Sequence, residues 1–92
     1  MSALLSDQEI AARLAHCKLW RRRGNEIYRT VECKDFVGAM AFVNAIALIA
    51  EQADHHPDID IRWNKVTLTL CTHSAGGLTE KDFALAEAID NL

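Results

Sequence analysis

The sequence lacks several features that would assign it to a class of protein. Its three cysteines, Cys17, Cys33 and Cys71, show no C-x-x-C spacing. The odd number of scattered thiols argues against a disulfide framework and for a reducing compartment. Residues 1–5 contain neither a basic segment nor an apolar run long enough for a signal peptide. We therefore expect a cytoplasmic protein.

Long hydrophobic runs and excess positive charge are also missing. The longest apolar stretch, residues 36–50, is interrupted by Gly38 and Asn44 and is shorter than the roughly 20 residues that span a bilayer. The formal net charge is −3. No membrane association and no direct nucleic-acid binding are expected. The one basic cluster, Arg21–Arg23, is interpreted as a solvated strand end, with a phosphate site as the less favoured alternative.

What is present is ordinary globular composition in a chain of one-domain length. Half of the 92 residues are hydrophobic and 25% are charged, which excludes a disordered chain. No repeat, low-complexity tract or linker divides residues 1–92, so a single domain is predicted.

Caps, turns and hydrophobic periodicity predict seven elements. Ser6 and Glu9 form a capping-box pattern, Asp35 precedes a long apolar helix, and Thr79 and Asp82 form a second capping-box pattern. The predicted elements are a helix from Ser6 to about Ala15, strands at 18–22 and 26–33 around Gly24-Asn25, a helix from Phe36 to about Asp54, strands at 59–63 and 66–71 around Asn64-Lys65, and a helix from Thr79 to about Asn91. This order predicts an α+β fold, α-β-β-α-β-β-α, with helices packed on one face of a four-stranded antiparallel sheet.

The long helix carries two apolar stripes. One comprises Phe36, Met40, Val43, Ala47 and Ala50, and the other comprises Phe42, Ile46, Ile49 and Ala53. A helix that is apolar on more than one side needs cover on more than one side. The sheet covers one side, so the second stripe indicates self-association.

Histidines cluster around the end of this helix. Glu51 and His55 are four residues apart, so in a continuous helix they share a face and the carboxylate can orient the imidazole. The helix dipole favours a protonated histidine at this end. His56 follows at the exit turn, where Pro57 forces the chain out of helix. His73 follows the fourth strand, whose end lies beside the start of the third in a hairpin. Three histidines are thus predicted at one rim of the sheet.

Each of these residues also has an alternative interpretation. A histidine at a helix end is more often a cap than a catalyst. Glu51 fits a solvated helix face, and Asp82 has a structural use in its capping box. A zinc site is the competing functional interpretation, although no cysteine pair has ligand spacing. The residues alone indicate a histidine acid–base site or a small-ligand pocket.

The combined spacing of these residues is more specific. Glu51, His55-His56-Pro57, Trp63, His73 and Asp82 together resemble the signature of the pterin-4a-carbinolamine dehydratase family, also known as dimerisation cofactors of a hepatic homeodomain transcription factor. Flanking segments such as Lys34-Asp35-Phe36 and Gly77-Leu78-Thr79 resemble the family too.

The resemblance implies both the fold derived above and a reaction. The reaction is dehydration of 4a-hydroxytetrahydrobiopterin, or a related pterin, to the quinonoid dihydropterin, which recycles the cofactor of aromatic amino acid hydroxylases. It implies no metal and no organic cofactor, and it implies a homodimer or homotetramer. The alternative is a protein-binding dimerisation or assembly cofactor that acts through the long helix.

The resemblance also assigns roles to residues. His55, His56, His73 and Glu51 form the catalytic set, with His55 and His73 as the acid–base pair, His56 mainly a binding residue, and Glu51 holding His55 or the pterin ring. Asp54, Thr72, Ser74 and Trp63 join the histidines in binding the substrate. Asp82 either supports His73 or serves only as a helix cap.

Overall fold

The predicted order of helices and strands is confirmed. The computed structural model describes residues 3–92, so Met1 and Ser2, the start of the predicted domain, lie outside the described residues. The elements are α1 (Asp7–His16), β1 (Arg21–Arg23), β2 (Glu26–Glu32), α2 (Phe36–Ala53), β3 (Asp58–Arg62), β4 (Lys65–Leu70), a 3₁₀ turn (His73–Ala75) and α3 (Glu80–Asp90).

The four strands form one antiparallel sheet in the order β1-β2-β4-β3. Ile27 pairs with Leu70, and Ile59 pairs with Leu68. Alternate residues of β4 point to the same side, and Val66, Leu68 and Leu70 are all fully buried. These side chains share one core cluster with Ile10 of α1, Ile46 of α2 and Phe83 of α3. All three helices therefore contribute to the core on that face of the sheet.

The predicted helix caps are all present. Ser6 accepts a hydrogen bond from the Glu9 amide, and the Glu9 side chain accepts one from the Ser6 amide. Asp35 caps α2 by accepting from the Gly38 amide at 2.8 Å. Thr79 and Asp82 form the second capping box, at the start of α3. Each cap satisfies backbone donors that the first turn of a helix leaves free.

The main differences from the predicted strands lie at the start of β1 and at the second hairpin. Strand β1 begins at Arg21 instead of Lys18, because residues 18–19 form a turn that the Trp20 amide closes by donating to the Cys17 carbonyl. The second hairpin turns at Trp63-Asn64, one residue earlier than predicted. Asn64 fixes this turn, since its side-chain amide donates to the Cys33 carbonyl and its own carbonyl accepts from the Cys33 amide.

Helix α2 buries only one of its faces. Ala39, Ile46 and Ala50 are buried, whereas Val37 and Leu48 are 76% and 69% exposed. The buried face thus runs between the two predicted stripes. The helix has 18 residues and a mean hydropathy of 1.6, so by length and composition alone it is able to cross a membrane, a test that core helices of soluble proteins also pass. Here it packs against β4 and α3.

The arginine cluster is largely paired with carboxylates. Arg22 lies 2.9 Å from Asp7, and Arg23 lies 2.9 Å from Glu26 while stacking on the Tyr28 ring. This pairing favours the solvated strand end over the phosphate site.

Candidate active site

The carboxyl end of α2 determines where the two adjacent histidines lie. Asp54 has left-handed backbone angles, φ 50° and ψ 43°. The His55 amide donates to the Ala50 carbonyl at 3.1 Å, and the Asp54 amide donates to the Glu51 carbonyl at 3.2 Å. These two bonds form a Schellman motif, which ends the helix and turns the chain sharply. His55 therefore no longer lies one helical turn beyond Glu51.

The turn gives each histidine a different carboxylate from the one predicted. His55 Nε2 lies 2.6 Å from Asp82 Oδ1, and His56 Nε2 lies 2.8 Å from Glu51 Oε1. The predicted contact between Glu51 and His55 is wrong, because the left-handed Asp54 removes His55 from the helical repeat. Asp82 was predicted either to support His73 or to serve only as a helix cap. In the structure its Oδ1 contacts His55 and not His73.

The two histidine–carboxylate pairs differ in burial. Asp82 is fully buried, and the side chain of His55 is 11% exposed. Glu51 and His56 are both largely exposed on the rim. Exposed pairs of this kind contribute about 0–1 kcal/mol, whereas removing one partner of a buried pair costs several times more. The geometry of the site therefore depends mainly on the His55–Asp82 pair.

Asp82 belongs to a buried hydrogen-bond network as well as to the helix cap. Its Oδ2 accepts from the Thr79 amide at 2.9 Å and from the Thr72 hydroxyl at 2.8 Å. The Thr72 and Thr79 hydroxyl oxygens are 2.7 Å apart. Because Thr72 donates its only proton to Asp82, Thr79 must donate to Thr72. Capping and contact with His55 thus occur together, one on each oxygen of the carboxylate.

This network orients the contact between Asp82 and His55. With Asp82 as a carboxylate, its Oδ1 accepts and His55 Nε2 carries the proton of the contact. Within residues 3–92, His55 Nδ1 has no hydrogen-bond partner. A histidine held at one nitrogen by a buried carboxylate can accept or release a proton at the other.

A polar cleft with a volume of about 360 Å³ opens beside this pair. It is lined by Asp54, His55, His56, Cys71, Thr72, His73, Ser74 and Lys81. The three histidines line the same cleft, as the predicted rim position requires, and so do Asp54, Thr72 and Ser74. The hydroxyl of Thr72 points toward Asp82, so only the rest of this residue is available to a ligand.

The loop after β4 holds His73 at the edge of the cleft. The Thr72 amide donates to the Gly77 carbonyl at 2.9 Å, and these two residues form an isolated bridge. Gly76 closes the 3₁₀ turn with φ 79°, a conformation that favours glycine. The loop is thus closed at its base, and the His73 side chain is exposed at its tip.

Trp63 is not brought to this cleft. It lies in the β3–β4 turn, at the opposite end of β4 from His73, and is 66% exposed. The alternation Ile59, Ile61, Trp63 suggested that the strand continued through Trp63, but its φ of 55° belongs to the turn. Trp63 therefore does not line this cleft, and its substrate contact stays a prediction.

Two residues of the cleft were missed from the sequence. Lys81 precedes Asp82 in the first turn of α3, and Cys71 follows the last residue of β4. Burial, reinforced by the nearby Asp82, Glu26 and Asp58 carboxylates, raises the pKa of the Cys71 thiol. The thiolate is the nucleophilic form of cysteine, so Cys71 is a poor nucleophile at neutral pH. The one sequence signal for either residue was that Lys81 is adjacent to Asp82 of the family motif.

The cleft thus offers proton-transfer groups next to polar binding groups. The histidines can act as general acids and bases near neutral pH, and the Lys81 ammonium adds a positive charge at the wall. In the part of the chain that the structure describes, no three histidine, cysteine or acidic side chains are grouped to hold a metal ion.

Comparisons with known proteins agree on one family. The model of the family described as pterin 4 alpha carbinolamine dehydratase matches residues 3–92. A provisionally named pterin-4-alpha-carbinolamine dehydratase of Roseiflexus castenholzii is 58% identical over 92 residues, covering 100% of this chain and 99% of the relative. A relative of the same provisional name from Chloroflexus aurantiacus is 58% identical over 88 residues, covering 96% of this chain and 95% of its own.

Solved structures share the fold. A crystal structure described as a transcriptional coactivator/pterin dehydratase from Brucella melitensis superposes with a TM-score of 0.90 at 35% identity, covering 95% of each chain. A pterin dehydratase-like protein described as a RuBisCO assembly factor in the alpha-carboxysome superposes with a TM-score of 0.63 at 22% identity, covering 78% of this chain and 83% of its own. The second similarity concerns the fold alone.

Proposed function

This chain belongs to the pterin-4a-carbinolamine dehydratase family, and we propose that it dehydrates 4a-hydroxytetrahydrobiopterin, or a related 4a-hydroxytetrahydropterin, to the quinonoid dihydropterin. The observation that carries the proposal is the buried His55–Asp82 pair, 2.6 Å apart, at a cleft that also contains His56 and His73. The family is one of pterin dehydratases.

The reaction needs an acid and a base on the same edge of the pterin. The bond between carbon 4a and its hydroxyl oxygen breaks, the N5 proton leaves, and one water molecule forms. In the proposed mechanism Nδ1 of His55 accepts the N5 proton while His73 protonates the departing hydroxyl. Such paired proton transfers typically contribute about 10²–10⁴-fold each.

The environments of the two histidines support this division of roles. The buried carboxylate of Asp82 stabilises the imidazolium that forms when His55 accepts a proton, as the aspartate of a catalytic triad does. His73 is exposed, so it can regain its proton from solvent after each turnover. His56, held by Glu51 on the rim, is placed to contact the bound ring.

The remaining cleft residues suit the polar edge of a pterin. Asp54 can accept hydrogen bonds from the amine and ring N–H groups, while Ser74 and Lys81 can donate to the carbonyl. The proposed mechanism uses no metal and no organic cofactor. In the cell the reaction would recycle the pterin consumed by an aromatic amino acid hydroxylase, in the cytoplasm.

A homodimer or homotetramer is part of the proposal. Val37 and Leu48 lie exposed on the same side of α2, three helical turns apart, and exposed apolar helix faces are typical of association surfaces. The same face favours a second candidate function, a protein-binding dimerisation or assembly cofactor. Replacing Leu48 with glutamate should lower the mass measured by sedimentation if the face is used, while dehydration should not need it.

The deciding experiment follows dehydration of 4a-hydroxytetrahydropterin, generated by a coupled hydroxylase, by absorbance. The wild-type protein is compared with the His55→Ala, His73→Ala double variant. His16→Ala is the matched control, because His16 is an exposed histidine of α1 that does not line the cleft. We expect acceleration by the wild type and His16→Ala proteins that the double variant loses. A folded wild-type protein that does not accelerate the reaction would contradict the proposal.

A further inference from the structure

A second cavity, the α2–α3 groove, adjoins the polar cleft. It has a volume of about 410 Å³ and lies between the carboxyl half of α2 and the exposed side of α3. Its lining residues are Ile49, Gln52, Ala53, His55, Lys81, Ala84, Leu85 and Ala88. His55 and Lys81 also line the polar cleft, so the two cavities meet at the proposed base.

The two cavities differ in chemistry. Apart from Gln52 and the two shared residues, every side chain of the groove is an alanine, leucine or isoleucine. The polar cleft instead presents carboxylate, hydroxyl and imidazole groups. A ligand that fills both cavities would therefore have a polar part beside an apolar part.

We propose that the α2–α3 groove holds the substituent on carbon 6 of the pterin and favours substrates in which that substituent is a bulky apolar group such as an aryl ring. This inference rests on the proposed function. Among the proposed substrates it selects a related 4a-hydroxytetrahydropterin with an apolar substituent over 4a-hydroxytetrahydrobiopterin, which carries a dihydroxypropyl chain.

The covalent structure of the pterin places the substituent there. Carbon 6 is bonded to N5, and N5 is bonded to carbon 4a, so the substituent begins one bond from the nitrogen that loses its proton. When N5 faces His55 Nδ1, carbon 6 lies at the boundary that His55 forms between the two cavities. The polar ring edge remains in the cleft, and the substituent continues into the groove.

The lining of the groove decides which substituent is favoured. A dihydroxypropyl chain would bring two hydroxyls against apolar walls, and hydroxyl groups lose hydration there without gaining partners. A phenyl ring would instead remove apolar surface from water, which is favourable in proportion to the area buried. Burial of one such ring corresponds to a factor of about ten or more in affinity.

The test compares two substrates that differ only at carbon 6. The 6-methyl and 6-phenyl 4a-hydroxytetrahydropterins are dehydrated by the wild-type protein, and kcat/KM is measured for each. We expect about tenfold higher kcat/KM for the 6-phenyl compound, mainly through a lower KM, because the added contact is made in both ground state and transition state.

Two variants test whether the preference for the 6-phenyl substrate depends on the α2–α3 groove. Ala88 lines the groove but not the cleft, and Ala88→Phe should reduce the 6-phenyl preference about tenfold by filling the space. Ala84→Leu, at an exposed position of the groove, serves the same purpose if the phenylalanine disturbs folding. Ala12→Phe, on the exposed surface of α1, is the control and should leave both rates unchanged.

The outcomes separate this inference from the proposed function. Equal kcat/KM for the two substrates would overturn the role of the groove and leave the dehydratase activity standing. No turnover of either would overturn the proposed function itself. A preference that survives both groove variants, or an oligomer that dissociates in them, would also overturn the inference, the latter by showing that a second chain occupies the groove.

Discussion

The carboxylate of Asp82 can be replaced by an amide of nearly the same shape. In the Asp82→Asn variant, one oxygen can still accept from the Thr79 amide and the Thr72 hydroxyl. The amide nitrogen then faces His55 Nε2, which has to become an acceptor. His55 must therefore carry its proton on Nδ1, the atom proposed to act as the base.

The structure allows the size of both effects to be worked out. Activity should fall by about 10²–10⁴-fold, because general base catalysis at Nδ1 is lost. Stability should fall by about 1.5–3 kcal/mol, the typical net contribution of a hydrogen bond to a charged group. The loss of activity is thus far larger than partial unfolding could explain, since the remaining protein stays mostly folded.

Three measurements check this prediction. The coupled assay gives kcat, urea unfolding gives the free energy of unfolding, and ¹⁵N chemical shifts of the His55 ring report which nitrogen carries the proton. Near wild-type kcat in Asp82→Asn, with Nε2 of His55 still protonated, would refute the reasoning. If Nε2 of His55 is still protonated in Asp82→Asn but kcat is greatly reduced, the reduction is due to the missing charge of Asp82 and not to a change of tautomer.

Three other predictions follow from neighbouring contacts. Glu51→Gln should change stability by less than about 1 kcal/mol, because its pair with His56 is exposed, and its effect on kcat should be far smaller than that of Asp82→Asn; equal losses would contradict the assignment of partners. Asp54→Ala should be less stable than Asp54→Gly by about 1 kcal/mol in urea unfolding, since alanine resists the left-handed conformation, while both should raise KM equally if the carboxylate binds the pterin. The raised pKa of Cys71 means that the folded protein holds the thiol proton more tightly than the unfolded chain does. The contribution of this proton to stability is therefore present below about pH 8.5 and is lost as pH rises through the folded-state pKa. The unfolding free energy of Cys71→Ala should fall less over that pH range than that of the wild-type protein, and an equal fall would contradict this assignment.

The parts of the fold that follow from local sequence were predictable. Capping boxes, the Gly24-Asn25 turn and the periodicity of α2 each depend on residues within a few positions of one another. The meeting of three histidines was also predictable, because a hairpin brings the end of β4 beside the start of β3. Family resemblance then supplied the roles that spacing alone left open.

The pairing of histidines with carboxylates was not predictable from spacing. Helical periodicity matched Glu51 with His55, but that match assumes that the helix continues past Asp54. The left-handed turn at Asp54 overrides it, and the true partner, Asp82, comes from another helix, 27 positions away. The end of β3 was mispredicted for a similar reason, since the alternation that includes Trp63 does not show where a strand stops and its turn begins.

The double use of Asp82 affects how related sequences should be interpreted. Because Asp82 caps α3 and pairs with His55, it is needed for stability even in a relative without catalytic activity. His55 is needed too, because its loss would leave the buried charge of Asp82 unpaired. His73 is exposed at a loop tip and has no side-chain hydrogen bond to the described residues. In relatives that have lost dehydratase activity, position 73 should therefore be substituted before positions 55 and 82. A histidine at position 73 is thus a better marker of retained catalysis than the buried pair.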